Sequence, residues 1–549
     1  MAVRKFIERA SRADLKKMGW LTVVAGFSNA LLIVVINQVA ILVAQAERPG
    51  WIESGGFIIA FILYYVCNKH ALLRANSVIE GLLKDLRVEI VDKLRQSELR
   101  TVNDVGRGRL YSLLAYETNH LSVAFPLLVE SFQQTVLLVA ALLYLAYLSW
   151  AALLIFLFAV LVGTLVYWSI NESYSDVMQK VTDQQARMLD LFGDILHGSK
   201  ELRLNSARRD DVSKTFAEES QNTEELLTSA GEQWTMLVLL SAFVMYLMLG
   251  IVAFIFPHYV DDHSVIIFQL VPTLLFCLAP LSKIIAQSPM FLRANVGLQG
   301  IFALEQELDD AGGISPALAR KKGEKFQDFK EISFTGMTYN YRDASGEVSF
   351  ASGPWDLTLN RGELIFLVGG NGSGKSTALR LISALYQRGG GQTAIDGKVV
   401  PNQDIAGTRE LFTALFGDFH LFDKFYGLED VTQEQVDQYI EMMEMTDKVK
   451  FVDGGFDQLQ MSTGQRKRLA LINALLEDRP VYLFDEWSAE QDVHFREVFY
   501  TRILADLKAR GKTVVVVTHD ERFWHLADRV IKFDMGQIEW ERPGAQIRQ

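Results

Sequence analysis

A pair of acidic residues at the end of an apolar run is the first sign of chemistry in this sequence. Residues 481–492 read VYLFDEWSAEQD, so four apolar residues lead directly into Asp485 and Glu486, and Trp487 follows them. One carboxylate in such a pair can hold a metal ion while the other polarises a nucleophile. Because apolar strands often end in Asp-Glu for structural reasons alone, a second motif is needed before a function can be assigned.

A glycine-rich segment about 110 residues earlier supplies that motif. Residues 362–382, GELIFLVGGNGSGKSTALRLI, read as a strand, a loop and the start of a helix, and the loop matches G-x-x-x-x-G-K-[ST]. Backbone N–H groups of such a loop and the positive end of the helix bind phosphate oxygens. The predicted phosphate contacts are Gly369, Asn371, Gly372, Ser373, Gly374, Lys375, Ser376 and Thr377.

The two motifs together predict a site for ATP and Mg²⁺. Lys375 should reach the β- and γ-phosphates, and Ser376 and Asp485 should bind the Mg²⁺ ion. Glu486 should polarise the water that attacks the γ-phosphate, which makes it the predicted catalytic carboxylate.

Two further segments extend the candidate site. TVVVVTHD, at residues 513–520, ends in His519, a candidate hydrogen-bond donor to the γ-phosphate, although a histidine at a strand end is more often structural. MSTGQRKRLALINALLEDRP, at residues 461–480, reads as a polar glycine turn that opens a basic amphipathic helix. The Ser462 hydroxyl and the helix N-terminus form a second phosphate-binding device, although the same cap also suits a helix that merely begins there.

Length and charge limit the remaining possibilities. At 549 residues the chain exceeds the roughly 250–300 residues of a single core, so we expect two domains. The net charge is −12 and no strongly basic patch is present, which argues against a nucleic-acid partner. Cys67 and Cys277 lie in apolar stretches, so neither a disulfide framework nor a cysteine-rich metal site is expected.

Hydropathy divides the chain unevenly. Apolar stretches of about 18 or more residues, each long enough to cross a bilayer as a helix, are absent after about residue 325. We expect six membrane helices within residues 1–310, a linker over 311–325 and a soluble domain over 326–549. The first apolar run is too long for the apolar core of a cleaved signal peptide. The six predicted spans are 20–44, 55–73, 125–148, 150–170, 234–256 and 266–286.

Basic residues between the spans predict the orientation in the membrane. Six occur in the first 19 residues and eight in the connection 74–123, whereas the loop near 45–54 has only Arg48. Since positive charge favours the cytoplasmic side, both termini should be cytoplasmic. The connections 74–123 and 171–233 are then cytoplasmic too, and their helical periodicity predicts that the membrane helices continue into them.

Taken in order, these motifs resemble the nucleotide-binding domain of ABC transporters, and the six preceding spans resemble an exporter-type half-transporter. The resemblance covers essentially the whole chain and implies a multidomain fold, an all-α transmembrane domain followed by an α/β P-loop nucleotide-binding domain. It also implies a homodimer with two composite sites, in which Ser462, Gly464 and Gln465 act as the signature motif against the γ-phosphate held by the other subunit. The resemblance also implies that Tyr341, in MTYNYRD (337–343), stacks on adenine, although an aromatic residue that merely belongs to a strand would give the same pattern.

Within this family the chain is similar to exporters of cyclic peptides and siderophore precursors, a group that includes the pyoverdine-precursor, syringomycin and lasso-peptide microcin exporters. The similarity rests on GELIFLVGGNGSGKST (362–377), RELFTALFGDFHLFDKFYG (409–427) and FDEWSAEQDVHFREVFY (484–500). Most ABC domains have proline after the catalytic glutamate. Trp487 stands there instead, and we interpret it as a packing residue of the turn.

Other departures affect the carry-over of roles from the family. Gly417 and Asp418 stand where most members have a glutamine, so Asp418 is our substitute Mg²⁺ ligand. The signature reads MSTGQ where LSGGQ is usual, which should be tolerated because Ser462 and Gly464 remain. KVKFVDGGFDQLQ, at residues 448–460, lacks the usual exporter motif that contacts the coupling helices, so communication with the membrane domain can differ in detail.

Polar residues inside the predicted spans are the only clues to a cargo. Glu130, Gln133 and Gln134 share one face of the third span, and the sixth span carries Lys283. These residues, with Asn29, Asn37 and Gln38 of the first span, either line a polar cavity for a peptide-like cargo or form interhelical hydrogen bonds. The intracellular segments 106–122 and 192–211 resemble those that dock on nucleotide domains in this family, although generic surface helices would look similar.

We therefore expect an ATP hydrolase coupled to transport: an exporter in the bacterial inner membrane, surrounded by lipid, that moves a peptide-like cargo out of the cytoplasm. A lipid or lipopeptide flippase and an exporter-shaped importer are alternatives, because the motifs of the ATPase half set neither cargo nor direction. A membrane-tethered ATPase acting on DNA or ribosomes is disfavoured by the six spans and the acidic balance. An inactive sensor is disfavoured because Lys375, Asp485, Glu486 and His519 are all present.

Overall fold

The chain forms two compact units. The computed structural model describes residues 2–44, 46–255, 263–310, 312–343 and 345–547. The first unit comprises Met1–Arg95 and Asn103–Asp310, and the second comprises Gln96–Val102 and Ala311–Gln549. The short segment Gln96–Val102 is therefore grouped with the C-terminal part of the sequence, which its position in the chain does not predict.

Long apolar helices dominate the N-terminal 310 residues. In the described part of the chain, five helices are long and apolar enough to span a membrane: Arg12–Val43, Trp51–Gln96, Gly108–Leu148, Ser206–Ile255 and Gln269–Asp310. A shorter apolar helix, Trp150–Leu165, lies at the predicted fourth span, so the count of six spans stays a prediction. The helices are α1 Ala2–Ile7, α2 Arg12–Ala44, α3 Trp51–Gln96, α4 Leu99–Val105, α5 Arg107–Tyr111, α6 Thr118–Leu148, α7 Trp150–His197, α8 Ser199–Leu204, α9 Ser206–Gly250 and α10 His263–Asp310, with π-helical turns at Ser112–Glu117 and Ile251–Ile255.

These helices bury small and apolar residues against each other and turn large apolar side chains outward. Helix α10 packs along α6, and α7 packs along α9. Ala141, Leu145 and Phe156 lie in one buried cluster, whereas Ile59 and Phe158 are each 68% exposed. An apolar exterior is the surface that spanning helices present to lipid. Helices α3, α7 and α9 also extend beyond their apolar stretches, as the periodicity of the connections predicts.

The second unit contains two larger sheets and a short hairpin. The main sheet has the order β12-β11-β3-β10-β9-β6, and an antiparallel sheet has the order β2-β1-β4-β5. The strands are β1 Glu331–Arg342, β2 Val348–Asn360, β3 Leu364–Val368, β4 Gly390–Ile395, β5 Lys398–Val399, β6 Phe412–Leu415, β7 Phe451–Val452, β8 Gly455–Phe456, β9 Val481–Asp485, β10 Thr513–Val517, β11 Arg529–Asp534 and β12 Gln537–Pro543. The helices are α11 Pro316–Gly323, α12 Lys375–Ile382, α13 Ile405–Thr408, α14 Gln433–Met442, α15 Thr463–Glu477, α16 Val493–Val498 and α17 Leu504–Ala509.

The centre of the main sheet positions the site. Strands β3, β9 and β10 read LIFLV, VYLFD and TVVVV and are buried along their whole length, as parallel strands covered on both faces must be. The parallel register sets Val517 opposite both Leu367 and Asp485. Because the three strands end at one edge, the residues that follow them meet there, where ligands of open α/β sheets bind.

Candidate nucleotide-binding site

The loop between β3 and α12 has the backbone geometry of a phosphate cradle. Gly369, Gly372 and Gly374 have φ angles of +142°, +77° and +101°, a region that side-chain-bearing residues rarely adopt. A Cβ atom on Gly369 would lie only 2.2 Å from the carbonyl oxygen of Phe533, so the close approach of β11 also requires glycine there. Gly374 caps α12, whose first N–H groups face the loop end.

Lys375 lies across this loop. Its Nζ donates hydrogen bonds to the carbonyl oxygens of Gly369 at 3.0 Å and Gly370 at 2.8 Å, and the residue is 4% exposed. Burial lowers the pKa of Lys375, while the nearby carboxylates of Glu486 and Asp485 act in the opposite direction. A phosphate chain seated in the loop offers this cation stronger partners than the two carbonyls.

Ser376 and Asp485 meet, as the predicted pair of Mg²⁺ ligands requires. The Ser376 hydroxyl donates a hydrogen bond to Asp485 Oδ1 at 3.1 Å. Burial raises the pKa of Asp485, and the hydrogen bond from Ser376 partly offsets that effect. The described residues contain no cluster of three or more His, Cys, Asp or Glu side chains suited to a metal. Mg²⁺ needs only a few protein ligands when phosphates and water supply the rest of its coordination shell.

Glu486 and His519 lie together one step beyond the strand ends. His519 Nε2 is 3.1 Å from Glu486 Oε1, and both side chains are nearly half exposed. The Glu486 backbone has φ +49°, in the left-handed region, and its N–H donates to the carbonyl oxygen of Val517 at 3.2 Å. The carboxylate therefore lies outside the strand, where it is accessible to water and adjacent to the imidazole of His519.

The remaining loop residues fit a phosphate ligand. Ser373 Oγ is buried and has no hydrogen-bond partner among the described residues, which is costly unless a ligand or water supplies one. Asn371 and Gly372 are exposed at the tip of the loop, and Thr377 is buried. The Thr377 hydroxyl lies 3.3 Å from the hydroxyl of Tyr341.

The predicted adenine-stacking residue belongs to an aromatic cluster. The Tyr341 ring is half buried, with its centroid 5.0 Å from Tyr339 and 6.1 Å from both Phe350 and Tyr386. Phe350 also borders the phosphate loop, since a Cβ on Gly374 would lie 3.5 Å from its Cζ. Sequence reasoning did not single out Phe350, because nothing local distinguishes it from other aromatic strand residues. Stacking of Tyr341 on adenine stays a prediction.

The predicted signature residues start helix α15. Ser462 Oγ accepts a hydrogen bond from the Gln465 N–H, and the Gln465 side chain accepts one from the Ser462 N–H, which forms a capping box. The Gly464 carbonyl accepts a hydrogen bond from Gln491 Nε2 at 2.9 Å. Among the described residues, none of these contacts joins the chain's own phosphate loop, so a role opposite phosphate needs a second copy.

Two departures from the family pattern have distinct surroundings. Asp418 is 80% exposed, and its carboxylate lies 3.9 Å from the Arg380 guanidinium, so its role as a Mg²⁺ ligand stays a prediction. Trp487 is 2% exposed, stacks on Phe499 at 4.5 Å and donates from Nε1 to the carbonyl oxygen of Lys467 at 3.1 Å. The indole therefore packs in the core, directly after Glu486 in the sequence.

A buried polar group beneath the site has no sequence signal. The Tyr500 hydroxyl contacts Ser488 Oγ at 2.9 Å, Thr518 Oγ1 at 2.5 Å and Asp520 Oδ2 at 3.2 Å. Burial raises the pKa of Tyr500 to about 12, so it stays a neutral donor. This hydroxyl links the turn after Glu486 to the residues on either side of His519, a contact that joins distant parts of the chain.

A helical membrane unit followed by a P-loop unit defines the class of ATP-driven membrane transporters, and comparisons with known proteins agree. The ABC transporter family matches residues 353–489, and the ABC transporter transmembrane region matches residues 18–279. The chain belongs to the ABC transporter family, as an exporter-type half-transporter that binds ATP and couples its hydrolysis to transport.

Relatives cover almost the whole chain. It is 30% identical over 546 residues to the ATP-binding protein SyrD of Pseudomonas syringae pv. syringae, with 94% of each chain covered. It is 25% identical over 458 residues to an ATP-dependent lipid A-core flippase of Vibrio vulnificus, covering 78% of this chain and 75% of the relative. A solved structure of a bacterial Atm1-family ABC exporter with ATP bound superposes with a TM-score of 0.79 at 16% identity, covering 97% of this chain and 96% of that one, which supports the fold alone.

Proposed function

We propose that two copies of this chain form an exporter that uses ATP to move a peptide-like cargo, a cyclic or nonribosomal peptide or a siderophore precursor, out of the bacterial cytoplasm. The observation that carries the ATPase half is the meeting of Ser376 with Asp485 and of Glu486 with His519 at one edge of the main sheet. Both termini are on the cytoplasmic face of the inner membrane in this proposal, as the basic residues of the first 19 positions and of the connection 74–123 support.

The residues divide the hydrolytic work by position. Lys375 exchanges its two backbone carbonyl partners for the β- and γ-phosphates. Ser376 and Asp485 would hold Mg²⁺, which when bound neutralises charge on the phosphate oxygens. Glu486 orients and polarises the attacking water, and His519, 3.1 Å from that carboxylate, donates toward the γ-phosphate.

A homodimer supplies what one chain lacks. Ser462 and Gly464 make their hydrogen bonds at the start of α15 and with Gln491. A helix N-terminus such as the one that carries them is suited to an anion, because the first N–H groups of a helix have no carbonyl partner within it. In the proposed dimer this end lies against the γ-phosphate held by the partner subunit, so each of two sites takes residues from both copies.

The polar residues of the membrane unit support the peptide proposal only in part. Glu130 forms an ion pair with Lys283 and accepts a hydrogen bond from Gln287 at 2.9 Å, and Asn37 donates to Thr273 at 2.8 Å. These are interhelical contacts, the second of the two readings that the sequence allows. The peptide-like cargo therefore rests mainly on the similarity of the Trp487 turn and its neighbouring motifs to the cyclic-peptide and siderophore-precursor exporters.

A lipid-like cargo is the second candidate, and a cavity favours it. Helices α7, α9 and α10 line a cavity of about 280 Å³. The lining is mostly apolar, including Val160, Leu240 and Ile284, and its polar members are Thr164, Tyr167 and Ser288. Such a space suits an acyl chain better than a peptide. The relatives named as lipid A-core flippases are consistent with this alternative.

Cargo-stimulated ATP hydrolysis tests the proposal. The purified protein in lipid nanodiscs is titrated with cyclic peptides, with siderophore precursors and, in parallel, with lipid A. Stimulation by one of the peptides, absent in Glu486→Gln, supports peptide export. Stimulation by lipid A alone replaces it with the flippase reading. The triple variant Glu130→Ala, Gln133→Ala, Gln134→Ala then shows whether this helix face contributes to cargo binding, because an unchanged response excludes it.

A further inference from the structure

A buried lysine in the signature helix reaches the catalytic glutamate of the same chain. Lys467 in α15 is 3% exposed, and its Nζ donates to the backbone carbonyl oxygen of Glu486 at 3.2 Å. The same ammonium lies 3.5 Å from the carboxylate of Glu490. Lysine is almost never this buried unless it is paired, so the two contacts account for its position.

Trp487 returns a contact in the opposite direction. Its indole N–H donates to the carbonyl oxygen of Lys467 at 3.1 Å, while its ring stacks on Phe499 in the core. The side chain of Lys467 thus bonds the backbone next to Trp487, and the side chain of Trp487 bonds the backbone of Lys467. We call this reciprocal pair, with Glu486 and Glu490 as its further members, the Lys467–Trp487 clasp. Proline, the usual residue after the glutamate in this family, has no side-chain donor and could not complete it.

A second set of contacts continues the connection toward the signature residues. Gln491 donates to the Gly464 carbonyl at 2.9 Å, and Arg468 donates to Gln491 Oε1 at 3.0 Å and to Asp492 at 2.6 Å. A Cβ on Gly464 would lie 2.7 Å from the carbonyl oxygen of Glu490, so the two segments are also in close steric contact. The start of α15 and the turn after Glu486 are therefore held as one piece.

The clasp acts on a residue whose backbone conformation needs support. Glu486 has φ +49°, which is uncommon for a residue with a side chain and persists only where the surroundings enforce it. Its N–H is held by Val517 and its carbonyl oxygen by Lys467. With both peptide groups fixed, the carboxylate is directed toward His519.

We propose that Lys467 and Trp487 are positioning residues that orient Glu486 and tie it to the helix carrying Ser462. This inference rests on the proposed homodimer, in which Ser462 and Glu486 of one chain serve opposite nucleotides. Nucleotide engagement at the start of α15 then reaches the catalytic carboxylate of the other site through the clasp. The clasp therefore contributes to coupling between the two sites.

Basal ATP hydrolysis by the full-length protein in nanodiscs, without cargo, tests the clasp separately from the identity of the cargo. Lys467→Met removes the donor and keeps most of the side-chain length, Lys467→Arg keeps a cation, and Trp487→Phe removes only the indole N–H. Lys512→Met is the matched control, because Lys512 also donates to a backbone carbonyl, that of Asp478 at 2.8 Å, and pairs with the Asp478 carboxylate at 3.0 Å. Lys512 precedes β10 at the end of the sheet away from the site.

Misplacement of a catalytic group typically costs up to about 100-fold, so Lys467→Met should lower kcat by about 10- to 100-fold. KM for ATP and the affinity for a fluorescent ATP analogue should stay near the wild-type values, since the phosphate loop is untouched. Trp487→Phe should give a smaller loss, Lys467→Arg should recover part of kcat, and the Hill coefficient should fall from above one toward one in Lys467→Met. The control should keep kcat even if its Tm falls.

Two results overturn the positioning role, and a third overturns the contribution of the clasp to coupling between the sites. A kcat within twofold of wild type in Lys467→Met excludes a positioning role, and a loss of kcat in Lys512→Met that follows its loss of Tm assigns the effect to stability. A wild-type Hill coefficient of one excludes that contribution and leaves the positioning role to be decided by the kcat of Lys467→Met. Failure of every peptide to stimulate hydrolysis leaves the clasp standing, because the assay contains no cargo.

Discussion

The nucleotide site and the membrane helices use polar residues in opposite ways. At the edge of the main sheet, Ser376, Asp485, Glu486 and His519 are brought together by strands that end side by side, and three of the four keep partly accessible side chains there. In the membrane unit, Glu130 and Lys283 satisfy each other between α6 and α10. Polar groups at the ends of these strands are thus accessible to a ligand, whereas polar groups between the helices bond to each other. Only the first arrangement indicates a particular chemistry.

The largest expected effect on ATP hydrolysis is at Glu486. Glu486→Gln keeps the shape of the side chain but cannot accept a proton, so kcat for ATP hydrolysis should fall by about 10²–10⁴-fold. Steady-state hydrolysis in nanodiscs measures it. Glu477→Gln, an exposed change at the end of α15, is the control and should retain the wild-type rate. A Glu486→Gln protein that hydrolyses ATP within tenfold of wild type would assign the water-polarising role to another residue.

A change at the predicted Mg²⁺ ligand Ser376 should have the next largest effect. Ser376→Ala removes the hydroxyl that contacts Asp485 at 3.1 Å, so the Mg²⁺ concentration for half-maximal hydrolysis should rise by about 10- to 100-fold. A Mg²⁺ titration of hydrolysis at saturating ATP gives this value. Asp418→Asn sharpens the comparison, because a similar rise would support Asp418 as a ligand and no change would remove it.

Truncation of a buried leucine in the second unit should cost more stability than truncation of an exposed leucine in the first. Leu367 is 0% exposed in β3, so Leu367→Ala should lower the stability of the second unit by about 2–5 kcal/mol. Leu161, 57% exposed on α7, should tolerate the same change within about 0.5 kcal/mol. Thermal loss of ATP-analogue binding reports the first and thermal denaturation of the full protein the second. A large loss for Leu161→Ala would mean that this face packs on protein rather than lipid.

The smallest expected effect is at the interhelical ion pair. Glu130→Ala and Lys283→Ala should each lower Tm slightly, and the double variant should lose less than their sum, with a coupling energy of about 1 kcal/mol. Basal ATP hydrolysis should not change in any of the three. Additive losses would show that the two groups do not interact and would return Glu130 to the candidates for cargo binding.

The difference between the regions also explains what the sequence predicts. The phosphate loop, β9 and β10 are local patterns, and parallel strands that end at one edge bring their following residues together without further information. The contact between Lys467 and Trp487 is not predictable in this way, since it joins a side chain to a distant backbone and leaves no local pattern. The resemblance to exporters therefore predicts the features that backbone geometry determines. It does not predict side-chain contacts between distant parts of the chain.

The membrane part shows the same limit. Apolar length predicts spanning helices, yet the spacing of Glu130, Gln133 and Gln134 fits a cavity and an interhelical contact equally well. Docking of the connections is likewise not fixed by their periodicity. Segment Gln96–Val102 groups with the second unit, while the predicted docking segment 106–122 lies in the first.

ATP-dependent transport into sealed vesicles tests the central claim most directly. The protein is reconstituted in proteoliposomes, ATP is added outside to reach molecules whose nucleotide-binding unit faces outward, and a labelled cyclic peptide is followed into the lumen. We predict accumulation that requires ATP and Mg²⁺ and disappears in Glu486→Gln. Accumulation that persists without ATP or in Glu486→Gln, or movement of labelled lipid A with no peptide uptake, would contradict ATP-driven peptide export.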